Sequence, residues 1–321
     1  MFLFGMMAAM AAGRRAPAPR PVSDEGRHSS LVAWGRRHGL QPAPSRRAGE
    51  LQLTNAALQV TLKADSRALV FDGVEHRLAF PVRRGSDGLE ISARDVQATL
   101  DPLVNPPRRP ASRPVNVVAI NAGHGGKDPG NTEGRRQEKQ YTLLLAGQVR
   151  RNLERAGLRV VLTRAADTFV SLDDRPAMAA RASADLFVSL HFNAFDGPGS
   201  RDVAGAETYC LTPAGASSTN DSGNHRGGWL PANRFDRDNI LLAHLVQRAI
   251  LGGTDLNDRG VRRARFKELT LLSMPGILVE GGYMTHPQDA ASIYSPKGRA
   301  ALARAISDGI LDYKRLVERR E

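Results

Sequence analysis

Val117-Val118-Ala119-Ile120-Asn121-Ala122-Gly123-His124-Gly125-Gly126 is the stretch on which the fold of this chain turns. Its apolar run stops abruptly at a glycine-flanked histidine, the pattern of a buried strand that delivers His124 to the end of a sheet. Glycines at that point leave room for a ligand to approach the backbone. A histidine beside glycine is also what an ordinary turn contains, so a site there needs partners from elsewhere in the chain.

Just upstream, residues 105–114 (NPPRRPASRP) carry four prolines, which stop secondary structure on both sides and mark a domain boundary. Downstream, strands alternate with helices through residues 115–321. Tyr141, Leu144, Leu145, Val149 and Leu153 keep helical spacing, and Gly157 supplies the terminating turn. LRVVLTR (158–164) is the next strand. Ser171 with Asp174 caps a helix through Ala182, and ADLFVSLH (184–191) and GAETYCL (205–211) are further strands. Residues 212–237 form a long polar, glycine-rich loop of the kind that is usually functional or disordered, and a flap over the site is the expectation. A helix from Asn239 puts Leu241, Leu245 and Ala249 on one stripe, GILVE (276–280) is a strand, and Leu302, Ile306, Ile310, Tyr313 and Val317 define a long closing helix. The fold class predicted is α/β, a mostly parallel sheet sandwiched by helices.

A small α+β domain is expected ahead of the proline-rich linker, over residues 24–104. LVAWGRRHGL (31–40) reads as a helix, and LQLTN and ALQVTLK (51–63) as strands. Asp72-Gly73 between two apolar runs signals a tight hairpin. A strand at 89–91 leads into a helix, ARDVQATLDPLV, capped by Ser92 with Asp95. His28, His38 and His76 have no carboxylate or second histidine at ligand spacing, so they are expected to be packed or surface residues. Residues 13–23, rich in proline and arginine, read as a linker. Residues 1–12 are apolar and contain Ala9-Met10-Ala11, the small-x-small pattern of a signal peptide, which implies export.

The length of 321 residues favours two domains, and 41% hydrophobic residues support a globular core. The net charge of +12 suggests an anionic partner, but the arginines are scattered and not interleaved with aromatics, so nucleic acid is not expected. Cys210 is the one cysteine, which rules out an intrachain disulfide and a CxxC metal knuckle. Any metal must therefore use histidine and carboxylate. No later segment has the roughly 20 apolar residues of a transmembrane helix.

Three strands end on a candidate ligand or acid: VVAIN before His124, LFVSL before His191 and GILV before Glu280. In open α/β sheets the carboxyl ends of strands share one edge, so residues distant in sequence can converge there. Alternation places His191 on one face with Ser189 and Phe187. Two histidines and a carboxylate are a common ligand set for catalytic zinc, and Glu138, at the start of a helix near the edge where His124 emerges, is a candidate third ligand. Asn193 and Ser189 are candidate supporting groups, and Arg164 with Asp167 a candidate structural pair.

AGHGGKDPG, QEK, TRAADTFVSLDDR, ADLFVSLHFNA, GAETYCL, DRGV and ILVEGGYMTHP occur in that order, and this series resembles the zinc-dependent N-acetylmuramoyl-L-alanine amidases of bacterial cell-wall turnover. The resemblance covers roughly residues 115–316. It implies an α/β sandwich, zinc (Zn2+) held by His124, Glu138 and His191, and Glu280 as the catalytic glutamate. The implied reaction is hydrolysis of the amide between N-acetylmuramic acid and L-alanine in peptidoglycan. The expected location is the periplasm or cell envelope, with peptidoglycan as partner and an activator protein as a second candidate. Another zinc peptidase or amidase of the wall, or a non-catalytic wall-binding protein of the same fold, are the alternatives. The family commonly has Asp-Pro where this chain has Asn121-Ala122, a departure beside the first ligand. The small first domain resembles, in its order of elements alone, the copper-amine-oxidase N-terminal-like module; no copper is inferred, and the domain is expected to hold the enzyme near the wall or a partner.

Overall fold

The computed structural model describes residues 27–45, 47–86, 88–219 and 227–319; the expected leader and first linker lie outside these, as do residues 220–226 of the polar loop. Ahead of the proline-rich linker are β1 (His28–Ser30), α1 (Leu31–Arg37), β2 (Gln41–Ala43), β3 (Glu50–Thr54), β4 (Gln59–Lys63), β5 (Ala68–Phe71), β6 (Val74–Arg77), β7 (Arg83–Gly85) and β8 (Gly88–Ser92). A broken helix follows: α2 (Ala93–Asp95), a π turn (Val96–Leu100) and α3 (Asp101–Val104). Beyond the linker come β9 (Val117–Ala122), the hairpin of β10 (Thr132–Glu133) and β11 (Arg136–Gln137), α4 (Glu138–Arg155), β12 (Arg159–Leu162), α5 (Asp174–Arg181), β13 (Leu186–Asn193) and β14 (Ala206–Leu211). The chain ends with α6 (Asp236–Gly253), β15 (Asp258–Ala264), α7 (Lys267–Thr270), β16 (Gly276–Tyr283), α8 (Pro287–Tyr294) and α9 (Pro296–Val317).

Eleven strands form one sheet in the order β12-β9-β13-β16-β14-β15-β6-β5-β4-β3-β2. Among the six strands of this sheet that follow the linker every pairing is parallel except β14 with β16, as the alternation of strands and helices predicts. β6 to β2 then add an antiparallel meander, so the whole sheet is mixed. The two parts meet where β6 lies parallel to β15, with Val261 opposite His76.

Period-two alternation distributes the core. Val118, Ile120, Val188, Leu190, Ile277 and Val279 face α4, α6 and α9, whereas Ala119, Phe187 and Leu278 pack with Ala179 of α5 and Leu269 of α7. α4 buries Leu145, Val149 and Leu153 at four-residue steps. Leu144, expected on that stripe, is instead 50% exposed, because it lies about 100° around the helix from Leu145. α6 carries a wider buried surface than the one stripe expected, from Asn239 through Gln247, because the sheet, α9 and the broken helix at 93–104 all pack against it.

Local sequence explains the punctuation. Asp72 and Gly73 both take positive φ, 47° and 77°, as a tight primed hairpin turn needs. Ser92 Oγ accepts Asp95 N–H at 3.0 Å. Pro102 has no N–H to offer Ala98 O, and Arg263 Nη2 of β15 donates to that carbonyl at 2.6 Å, so the break in the helix becomes a contact between the two parts of the sheet.

Candidate metal centre

β9, β13 and β16 end together at one edge of the sheet. In the register of the sheet Leu190 lies opposite Ala122, and His191 lies opposite Glu280. His124 follows β9 in a loop, with a φ of 61° that few non-glycine residues adopt. Arg175 of α5 fixes that loop from below: its Nη2 donates to His124 O at 3.0 Å and its Nη1 to Ala122 O at 3.0 Å and Asn121 Oδ1 at 2.8 Å. Arg164 Nη2 donates to Gly123 O at 2.8 Å. The expected pairing of Arg164 with Asp167 is therefore not what forms; Arg164 binds main-chain carbonyls, and Asp167 pairs with Lys139 Nζ at 2.8 Å.

His124, Glu138 and His191 each offer a ligand atom, and these atoms lie within 4.8 Å of one another, all three side chains being buried. His124 Nδ1 lies 2.9 Å from Asp128 Oδ2, and His191 Nδ1 lies 3.0 Å from Glu138 Oε1. In the neutral rings, a proton on each Nδ1 facing its carboxylate leaves each Nε2 with the lone pair that a metal needs. Neither Nε2 has a hydrogen-bond partner among the described residues, although His124 Nε2 is 3.0 Å from Glu138 Oε2. Two buried imidazole nitrogens without a hydrogen-bond partner among the described residues, beside a buried carboxylate, fit a divalent cation that accepts nitrogen and oxygen ligands and would take the place of a ring proton.

Glycines also make room for side chains of the cluster itself. A Cβ on Gly123 would stand 2.3 Å from His191 Cε1, and one on Gly130 would stand 2.6 Å from His124 Cδ2 and 2.7 Å from Glu138 Oε2. They admit the His191, His124 and Glu138 side chains to the strand ends. Glu138 is further held by Asn131, whose N–H and Nδ2 donate at 3.0 and 2.9 Å, and by Phe192 N–H at 3.1 Å.

Charge follows the geometry. Burial opposes protonation of His124, but the Glu138 and Asp128 carboxylates outweigh it and raise its pKa to about 9. Burial also opposes ionisation of Glu138, which the two histidines outweigh, holding it well below the usual carboxylate range. Glu280 is pushed well above that range, first by burial and then by the carboxylates of Glu138, Glu207 and Glu268. Its Oε2 is buried with no hydrogen-bond partner among the described residues.

Of the supporting residues considered from sequence, Ser189 Oγ accepts from Asn121 Nδ2 at 2.7 Å, and Asn193 Nδ2 donates to Glu207 Oε1 at 2.7 Å. His28, His38 and His76 stay outside the cluster; His76 stacks on His244. Asp128, Glu207, Glu268 and Arg175 were not legible as site residues. Asp128 and Arg175 stand in stretches already marked by glycine turns and a helix cap, and Glu207 in the strand GAETYCL, but nothing local distinguishes them from surface charges.

The sequence pattern of the family described as N-acetylmuramoyl-L-alanine amidase matches residues 118–312. Among curated relatives, LytC of Bacillus subtilis (strain 168) is 33% identical over 199 residues, 62% of this chain and 36% of that protein. AmiA of Escherichia coli (strain K12), also an N-acetylmuramoyl-L-alanine amidase, is 31% identical over 232 residues, 64% of this chain and 79% of that protein. Among solved structures, the amidase AmiC2 of Nostoc punctiforme is 37% identical, with a TM-score of 0.52 over 62% of this chain and 96% of that one. The catalytic domain of CwlV from Bacillus (Paenibacillus) polymyxa var. colistinus is 31% identical, with a TM-score of 0.51 over 62% of this chain and 97% of that one. With the strand-end cluster of His124, Glu138 and His191 inside the matched stretch, the chain belongs to the N-acetylmuramoyl-L-alanine amidase family.

Proposed function

We propose that the chain is a zinc-dependent hydrolase of the cell envelope that cuts the amide between N-acetylmuramic acid and L-alanine in peptidoglycan. The observation that carries this reading is His191, which the register of the sheet sets directly opposite Glu280 and which clusters with His124 and Glu138. His124, Glu138 and His191 would hold the metal. Zinc bound there supplies Lewis acidity toward an amide carbonyl and a water molecule.

The remaining work falls to this chain's own groups. Glu280 Oε2, buried and without a hydrogen-bond partner among the described residues, takes the proton of the attacking water and returns it to the departing amine. Its raised proton affinity suits the second transfer, and a cation held by Glu138 and the two histidines would offset part of the repulsion that suppresses its ionised form. Asp128 keeps the His124 ring in one tautomer and orientation.

Chelator-treated protein is expected to regain close to one zinc per chain by calorimetric titration and to regain hydrolysis with it. Glu280→Gln is expected to bind zinc normally and to lose about 10²- to 10⁴-fold in kcat, the range typical of a lost general acid–base group. Full turnover by that variant, or by metal-free protein, would overturn the assignment.

A further inference from the structure

The register line that joins His191 to Glu280 continues one strand further. Glu207 of β14 lies directly opposite Glu280, and β15 lies beside β14 with Arg262 opposite Tyr209. Glu207 is 2% exposed. Its Oε1 accepts from Asn193 Nδ2 at 2.7 Å and from the Tyr283 hydroxyl at 3.2 Å. Its Oε2 is approached by two guanidiniums, Arg262 Nε at 2.6 Å and Arg259 Nε at 3.6 Å. Two cations thus share one carboxylate, and one positive charge remains over. Both arginine side chains are partly exposed, Arg262 27% and Arg259 29%, beside an acid that is buried, and Arg259 lies over the Tyr283 ring at 5.0 Å.

From this we infer that Arg259 and Arg262 form a carboxylate-recognition site for the peptide arm of the substrate, and so set specificity for an acidic residue near the scissile amide. The inference rests on the functional reading above. Neighbouring strands are about 4.8 Å apart, and the guanidiniums of β15 reach back to Glu207 on β14, the strand next to that of Glu280. An extended peptide advances about 3.3 to 3.6 Å per residue, which places the recognised carboxylate within the first two residues of the leaving peptide. The direction is set by chemistry: the carboxyl of the muramic acid is consumed in the amide, so free carboxylates belong to the peptide side. Guanidinium offers paired donors matched to a carboxylate, which a carboxamide only partly replaces.

The test uses two N-acetylmuramoyl-L-alanyl peptides that differ only in carrying a free α-carboxylate or a carboxamide on the second residue. The wild-type zinc-loaded protein is expected to favour the carboxylate by about tenfold or more in kcat/KM, mostly through KM. Arg259→Gln and Arg262→Gln are each expected to reduce that preference, and the double variant to abolish it. Equal cleavage of both peptides by the wild type, or an undiminished preference in the double variant, would overturn the inference and leave the amidase reading standing. Cleavage of neither at the lactyl amide would overturn both.

Discussion

Arg175 shows how much of the centre depends on residues that never touch a ligand. Its guanidinium is buried, and its partners are neutral oxygens: Asn121 Oδ1 and the carbonyls of Ala122, His124 and Val170. Glu268 and Asp128 favour its charge only at longer range. Asn121, the residue that departs from the family's usual Asp-Pro, is therefore the side-chain end of this clamp, bridging Arg175 and Thr163 on one oxygen and Ser189 on its amide. Arg175→Leu strips donors from several buried oxygens at once and is expected to cost about 3 kcal/mol in urea unfolding. The same substitution frees the His124 loop, so zinc affinity is expected to fall with it; unchanged affinity by titration would show that the loop holds its shape without the clamp. His124 and His191 were legible because each closes an apolar run. Arg175 was not, because its meaning depends on carbonyls more than fifty residues away.

At the level of elements, β15 is the strand that pattern reading passed over. DRGVRRA has charges where alternation calls for apolar residues, and those charges are usable only because the fold provides partners: Glu207 for Arg259 and Arg262, and Ala98 O and Thr99 Oγ1 for Arg263. The same seam holds a buried pair, His76 of β6 against His244 of α6, with Nε2 and Nδ1 3.1 Å apart. Burial lowers both pKa values: His76 falls well below its ordinary value, with His244 and Arg263 adding to the effect, and His244 falls to about 3, with Arg248 adding to it. Both rings are thus neutral in the folded chain, whereas in the unfolded chain they take up protons below about 6.5. Their contribution is complete above pH 6.5 and is lost as pH falls toward the folded values, by about 2 kcal/mol for His244 at pH 5. Asp236, raised to about 6 by burial, works in the opposite direction, so the comparison must be with His244→Asn, which shares Asp236. The wild type is expected to lose more stability than that variant between pH 6.5 and 4; parallel curves would remove the pair from the account.

For the whole molecule, the composition of residues 105–114 marks a domain boundary, and across it β6 extends the sheet of β15, Asp258 Oδ2 accepts from Glu75 N–H at 2.8 Å, and the broken helix packs on α6. Linker composition reports that a segment cannot form a helix or strand; it carries no information on whether the flanking parts pair. Removing residues 1–114 would leave β15 as a bare edge and His244 and Arg263 uncovered. The shortened chain is expected to unfold at a clearly lower urea midpoint, followed by circular dichroism; an unchanged midpoint would mean that the seam adds nothing to stability. The α/β architecture and the strand ends were legible because buried parallel strands read as continuous apolar runs. The meeting of β6 with β15 rests on a contact spanning more than 180 residues, with no local signature. The central claim concerns the bond that is cut, and mass spectrometry of peptidoglycan digested with zinc-loaded and chelator-treated protein addresses it most directly. The account predicts free stem peptides beginning at L-alanine and peptide-free glycan strands with zinc, and neither without it. Products cut within the peptide or between sugars, or release that persists after the metal is removed, would contradict it.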